Sequence, residues 1–229
     1  MFKEENLLLI DKPAGMTSFD VIRKLRRQTG IRKYGHAGTL DPAATGLMIL
    51  GVNEGTKKLT EFIKLDKEYE AEILLGRETA TDDIDGPILQ EKEVFKKIST
   101  DIAKNTLQGM IGDLQLPVSA YSAIKKNGVP MYKRARQAAK EGGSITDVPI
   151  RTMTVYEAEL LNNEMVKIEQ KQLQLLKVRF SVASGTYIRS LAKELGLRLS
   201  YPASLYSLRR TKIGRYSLDD AVPLAEYKK

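Results

Sequence analysis

The sequence predicts an α+β fold on a mainly antiparallel sheet. Strand-like stretches outnumber the helical ones and interleave with them. Residues 67–75 alternate clearly, with Glu68, Glu70 and Glu72 on one face and Tyr69, Ala71 and Ile73 on the other. No internal repeat or low-complexity tract points to a solenoid or a disordered chain. At 229 residues the chain can bury a large core, as one large domain or two small ones.

The elements follow in order. Residues 6–11 read as a strand. Ser18 offers an N-cap to a helix with Val21, Ile22 and Leu25 on one face and its Arg and Lys residues outward. Residues 47–52 form an apolar run that reads as a buried strand, and Leu59, Phe62 and Ile63 mark a short amphipathic helix. Tyr69 faces inward at the start of the alternating strand. Residues 79–86 are polar and turn-like, and 92–108 are read as helical. Residues 126–146 are basic, poor in large apolar side chains and punctuated by Gly128, Pro130, Gly142 and Gly143, which suggests a mobile insertion. Residues 151–161 and 173–183 read as strands, with Val178, Phe180 and Val182 on one face. Thr186 can cap a last helix that carries Leu191 and Leu195 and stops at Gly196.

Composition narrows the function. The formal charge of +8 favours an anionic partner. Its distribution is sharper evidence. Residues 23–33 hold six cations and no acid, 125–140 hold six more, and Arg209, Arg210, Lys212 and Arg215 make a third group. Acids collect elsewhere, at Asp82, Asp83 and Asp85. Such segregation suits a phosphate backbone, although basic helix faces can also be merely solvated. The chain has no Cys, so a disulfide framework and a Cys-based metal site are excluded, and its single His argues against a transition-metal centre. The apolar block Leu7–Ile10 is too short for a secretion signal, and no run approaches membrane-spanning length, so a cytoplasmic protein is expected.

The densest signal is the stretch from Gly35 to Gly46, which surrounds Asp41 and the only histidine, His36, with Gly35, Gly38 and Gly46. A glycine-rich bend against a core strand can fix one carboxylate and admit a ligand close to the backbone. Asp41-Pro42 can equally be an N-cap and first residue of an ordinary helix. A nucleotide-binding loop is disfavoured, because neither a G-K-[ST] ending nor a Rossmann spacing is present.

Six segments in order carry a wider pattern. They are Leu9–Ser18, Gly35–Gly46 with Glu54–Lys57, Asp66–Tyr69, Pro117–Lys125, Ser184–Leu191 (containing G-T-Y-I-R) and Leu208-Arg209-Arg210. Together they resemble the TruB-type tRNA pseudouridine synthases over nearly the whole chain. The resemblance implies the pseudouridine synthase fold, a mixed central sheet with a catalytic cleft, as a single catalytic domain over 1–229 with the mobile RNA-binding insertion at 126–146. It implies isomerisation of uridine 55 in the T loop of tRNA by a monomer that extrudes the base and needs no cofactor, metal, membrane or guide RNA. Longer members carry a carboxy-terminal PUA domain; the chain ends nineteen residues after Arg210, so none is expected, which puts the hold on the acceptor arm in question.

By the same resemblance Asp41 is the nucleophile and Arg189 its charge partner. Tyr69 stacks on the base and assists proton removal, and Tyr187 is a second pocket tyrosine. His36 fills space near the extruded nucleotide, and Leu208 lines the pocket. Lys12 and Lys57 match recurrent basic positions, as loop support or phosphate contacts. Ala37 replaces the family's usual threonine, so some local hydrogen bonding differs. Each also has a plainer reading: core packing for the tyrosines and Leu208, a surface arginine for Arg189, an ordinary loop polar residue for His36.

Overall fold

The computed structural model describes residues 6–143 and 145–227. In chain order the elements are β1 (Leu7–Lys12), α1 (Ser18–Thr29), β2 (Tyr34–His36), β3 (Thr45–Val52), a 3-10 turn (Asn53–Lys58), α2 (Leu59–Ile63), β4 (Lys67–Leu75), β5 (Arg77–Thr79), β6 (Ile88–Glu91), α3 (Thr100–Gln108), β7 (Gly112–Pro117), β8 (Lys125–Lys126), β9 (Val129–Pro130), α4 (Met131–Lys140), β10 (Ile150–Ile168), β11 (Lys171–Val182), α5 (Ile188–Arg198), β12 (Ala203–Ile213), β13 (Tyr216–Ser217) and β14 (Val222–Pro223). This is the mixed α+β pattern anticipated, mostly antiparallel, with parallel pairs at β1–β14 and β3–β12.

Two compact units divide the chain: 1–70 with 180–184 and 207–229, and 71–179 with 185–206. In the first unit the strand order is β14-β1-β3-β12, with β2 on β3 and β13 on β12. β1 and β3 are antiparallel with Leu9 opposite Ile49, and their inward residues pack with Phe62, Ile213 and Tyr216. This apolar layer is the floor on which the glycine-rich loop rests.

Helix α1 starts one residue earlier than its predicted cap implies. Thr17 is the N-cap and forms a capping box with Asp20. Ser18 is buried instead, and its hydroxyl both accepts from Leu40 N (2.9 Å) and donates to Leu40 O (3.2 Å). Ser18 therefore ties the helix to the residue before Asp41.

In the second unit β4, β11, β10 and β7 lie side by side. β10 and β11 run farther than predicted and meet in a two-residue turn, Glu169-Gln170, with positive φ at both residues. Residues 92–99 are not helical. Lys92 N and Val94 N donate to Gly76 O and Gln172 O, Ile98 N donates to the buried Gln174 side chain, and Ser99 then caps α3. Helix α5 begins at Tyr187 without a side-chain cap and continues past Gly196. That glycine is a packing site rather than a stop, because a Cβ there would lie 2.3 Å from the Ala203 Cβ. Segment 126–146 contains the β8–β9 ladder and α4, anchored by buried Met131 and Ala135; Ser144 lies outside the described residues.

Candidate active site

Asp41 sits half-buried in an irregular loop between β2 and β3, not at a helix start. Its carbonyl accepts from Ala44 N (3.1 Å), closing a turn, and Pro42 O accepts from Gly15 N (2.9 Å). The loop leaves β2 through Ala37 N, which donates to Ile49 O (2.9 Å), and re-enters the sheet at Gly46. Gly46 has φ +103°, and a Cβ there would stand 2.3 Å from Arg210 O on neighbouring β12. Only glycine lets the two backbones approach so closely.

Two buried cations, Lys12 and Arg210, bond this loop, and a third, Lys67, is buried within electrostatic reach of Arg210. Lys12 donates to Pro13 O (2.9 Å), Met16 O (2.7 Å) and Pro42 O (3.1 Å). Arg210 donates to Leu47 O (2.7 Å) and Gly38 O (3.2 Å), gripping both ends of the loop. Lys67 donates to Ile63 O, Leu65 O and the Ser184 hydroxyl. Burial lowers the Lys12 ammonium to about 8; Asp41 opposes that shift, Arg210 adds to it, and Asp20 opposes it. Lys67 is lowered to about 8 by burial and then by Arg210, against Asp66. Positive charge gathered so closely is costly unless hydrogen-bonded, and here backbone carbonyls supply the bonds. The resulting field stabilises negative charge at the loop.

His36, at the end of β2, is half-buried and edge-on to Phe19 of α1, with ring centroids 6.3 Å apart. Burial and then Arg210 hold its pKa below the ordinary value, so the ring is neutral near pH 7. Tyr69 is buried on the inward face of β4, as the alternation requires. Leu208 on β12 is half-buried, and its carbonyl accepts from the Thr45 hydroxyl (3.4 Å), just after the loop. Lys57 is exposed on the 3-10 turn and ion-paired with Glu54 (2.5 Å). In this unit the structure thus joins Lys12 to the Asp41 loop directly and Leu208 to its exit.

The remaining two site residues lie in the second unit. Tyr187 occupies the N-cap position of α5, half-buried. Arg189 is buried in the first turn, which excludes the surface reading. Its guanidinium donates to Thr81 O (3.0 Å), the Ser119 hydroxyl (3.3 Å) and Tyr121 O (3.3 Å), and lies 3.7 Å from the Asp83 carboxylate. One turn on, Lys193 pairs with Glu78 (2.6 Å) and approaches Asp82 (3.7 Å). Burial raises the Asp82 pKa against the pull of Ser119, Lys193 and Arg189. A cavity of about 680 Å³ in this unit is lined by polar side chains, among them Asp82, Ser190, Lys193 and Glu194, together with apolar ones, and by none of the predicted site residues.

Sequence reasoning missed Ser18, Lys67 and Arg210 as parts of the site. Lys67 and Arg210 stood inside quoted motifs, but a lysine opening an alternating strand and an arginine in a polar run carry no signal of burial. Among the described residues no group of His, Asp and Glu could hold a metal ion, and no helix is long and apolar enough to cross a membrane.

Comparison with known proteins supplies the class. Residues 26–188 match the TruB family pseudouridylate synthase (N terminal domain) model. The chain is 43% identical over 221 residues to the tRNA pseudouridine synthase B of Leifsonia xyli subsp. xyli, covering 96% of this chain and 70% of that one. It is 38% identical over 225 residues to that of Geobacillus thermodenitrificans, covering 97% and 71%. Among solved structures, an H/ACA RNP bound to a substrate RNA containing 2'-deoxyuridine superposes with a TM-score of 0.67 at 23% identity, over 96% of this chain and 51% of that one. An archaeal box H/ACA sRNP Nop10-Cbf5 complex gives 0.66 at 23%, over 96% and 51%. The chain therefore spans about half the length of those solved chains, and they define its fold as that of the pseudouridine synthases. The relatives of which the chain covers more than two thirds are named as tRNA pseudouridine synthases, which places it among the isomerases. The chain belongs to the TruB family of pseudouridylate synthases.

Proposed function

We propose that this chain isomerises uridine to pseudouridine at position 55, in the T loop of tRNA. The observation that carries the reading is the Asp41 loop, held from below by Lys12 and Arg210 through backbone carbonyls. The tRNA substrate is supported by the name that its relatives at about 40% identity share. The reaction breaks the bond from C1′ to N1, rotates the free base, forms a bond from C1′ to C5, and moves the C5 proton off while N1 gains one. The nucleophile it requires is a fixed carboxylate, and Asp41 is that group, at C6 of the base or C1′ of the sugar alike.

Arg189 is the charge partner of Asp41, and its anchors hold the guanidinium in one orientation. The uridine must leave its stack to react. Tyr69 and Tyr187 shape the pocket for it, Tyr69 stacking on the base and assisting proton removal. Leu208 and His36 complete the pocket wall, and Lys57 contacts phosphate. Segment 126–146 orders on the RNA and becomes resistant to protease when tRNA is added.

The test is tritium release from transcripts labelled at C5 of uridine. About one tritium per tRNA is expected, with loss in Asp41→Asn by about four orders of magnitude and loss in a transcript whose T-loop uridine is replaced. Full activity in Asp41→Asn would overturn the assignment. Tight RNA binding without release by the wild type would instead indicate an RNA chaperone.

A further inference from the structure

The exposed face of α1 is not used by the chemistry above, yet it is built unlike an ordinary solvated helix. Phe19 is 62% exposed on its first turn. A single exposed aromatic needs no explanation, but this ring is positioned. Its ring meets that of His36 in a T-shaped pair, at an interplanar angle of 87°. Its neighbour Ser18 is bonded through both N and O of Leu40, so Phe19 stands beside the residue that precedes Asp41. One turn farther along the same face come Arg23 and then Arg26 and Arg27, all exposed, with Lys24 half-buried. The only acid in the helix is Asp20, which serves the capping box and pairs with Arg23. Alongside runs an open groove of about 440 Å³ lined by Gly15, Met16, Asp20, Arg23, Lys24 and Arg27.

A fixed aromatic face followed by a row of cations is the combination that holds a single-stranded nucleotide run: bases stack on the ring and phosphates follow the charges. Phe95, although exposed and followed by Lys96 and Lys97, has no aromatic partner fixing its ring among the described residues. We infer that Phe19 is a stacking platform for an RNA base next to the reacting uridine, and that Arg23, Lys24 and Arg27 carry the adjoining phosphates along the groove. The inference rests on the reading that the ligand is RNA, and it adds a base contact and a backbone track outside the catalytic pocket.

The experiment compares Phe19→Ala, Phe19→Tyr and the double variant Arg23→Gln/Arg27→Gln with wild type, using a T-arm transcript. Affinity is read by fluorescence anisotropy at several salt concentrations, turnover by tritium release, and folding by thermal melting. Phe19→Ala should weaken affinity and raise KM by about tenfold, with saturated turnover within twofold and an unchanged melt. Phe19→Tyr should restore both. The double variant should flatten the dependence of log K on log salt by about 0.7 for each phosphate it no longer neutralises. Wild-type affinity in Phe19→Ala, or a loss of kcat at unchanged KM, would overturn the platform. An unchanged salt slope would overturn the phosphate track. Absence of turnover in the wild type would refute the function proposed above, while the anisotropy series would still decide this one.

Discussion

The loop around Asp41 and the segment around α4 are held by opposite means. The loop is gripped from below by buried charge: Lys12 and Arg210 direct three hydrogen bonds to the carbonyls of Gly38, Pro42 and Leu47, and Lys12 two more to Pro13 and Met16 in the turn before α1. The α4 segment is held by the β8–β9 ladder, by Met131 N and Tyr132 N donating to Ile124 O (2.8 Å) and Ser122 O (3.0 Å), and by two buried side chains, Met131 and Ala135, and its inner side borders the 680 Å³ cavity. Buried cations restrain the loop through several carbonyls at once, whereas short-range backbone bonds with two apolar anchors open locally at lower cost. The difference is one of means: buried charge restrains the loop that presents Asp41, and local backbone bonds with two apolar anchors seat α4.

That contrast can be broken first at Arg210. Arg210→Met leaves two buried carbonyls without their donor and should cost about 2 kcal/mol, a fall in Tm of roughly 4–8 °C. With the loop released, kcat should fall about 100-fold, while Arg210→Lys recovers part of it. Single-turnover tritium release and calorimetry on both variants check this; a lower Tm with unchanged kcat would reduce the cations to fold support.

A smaller effect comes from pH. Lys12 and Lys67 titrate near 8 in the folded chain, below the 10.5 of a free lysine, so from about 8 upward the unfolded chain binds more protons. Their contribution to folding stability therefore rises with pH across this window. Activity should move the other way. A neutral Lys12 amine has two N–H groups for three carbonyls, so kcat should drop by about tenfold per pH unit from 8 to 9.5. Urea melts and rates at matched pH would show the two opposite slopes, and a flat rate profile would mean that the loop keeps its shape without the charge.

The smallest effect is expected from α4. Met131→Ala removes the side chain that seats the helix, and KM should rise about threefold to tenfold with kcat within twofold. A fall in kcat of the same size would erase the distinction between the two regions.

Much of this was legible in the sequence. The alternation over 67–75 placed Tyr69 inward, and the strands at 7–12 and 45–52 fell where apolar runs predicted them. Boundaries failed where tertiary partners override local preference. Residues 92–99 have helical composition, but their backbone groups are taken by Gly76, Gln172 and Gln174. The predicted strand ended at residue 161, yet β10 runs on through Asn162 and Asn163, and Asn163 bonds the buried Gln174. In the site, Asp41 stood out through its glycines. Arg210 did not, because its importance comes from Gly38 and Leu47, far away in sequence.

Backbone acceptors give the cation cluster an asymmetric tolerance to sequence drift. The main chain offers a carbonyl at Pro13, Met16, Pro42 and Leu47 whatever side chain stands there, so substitutions at these positions leave the acceptors in place. The donors Lys12 and Arg210 have no such substitute, and neither do the acceptor positions that carry a second duty: Leu47 is a core residue, and Gly38 and Gly46 both have φ +103°. Drift is tolerated only at the exposed acceptors Pro13 and Pro42.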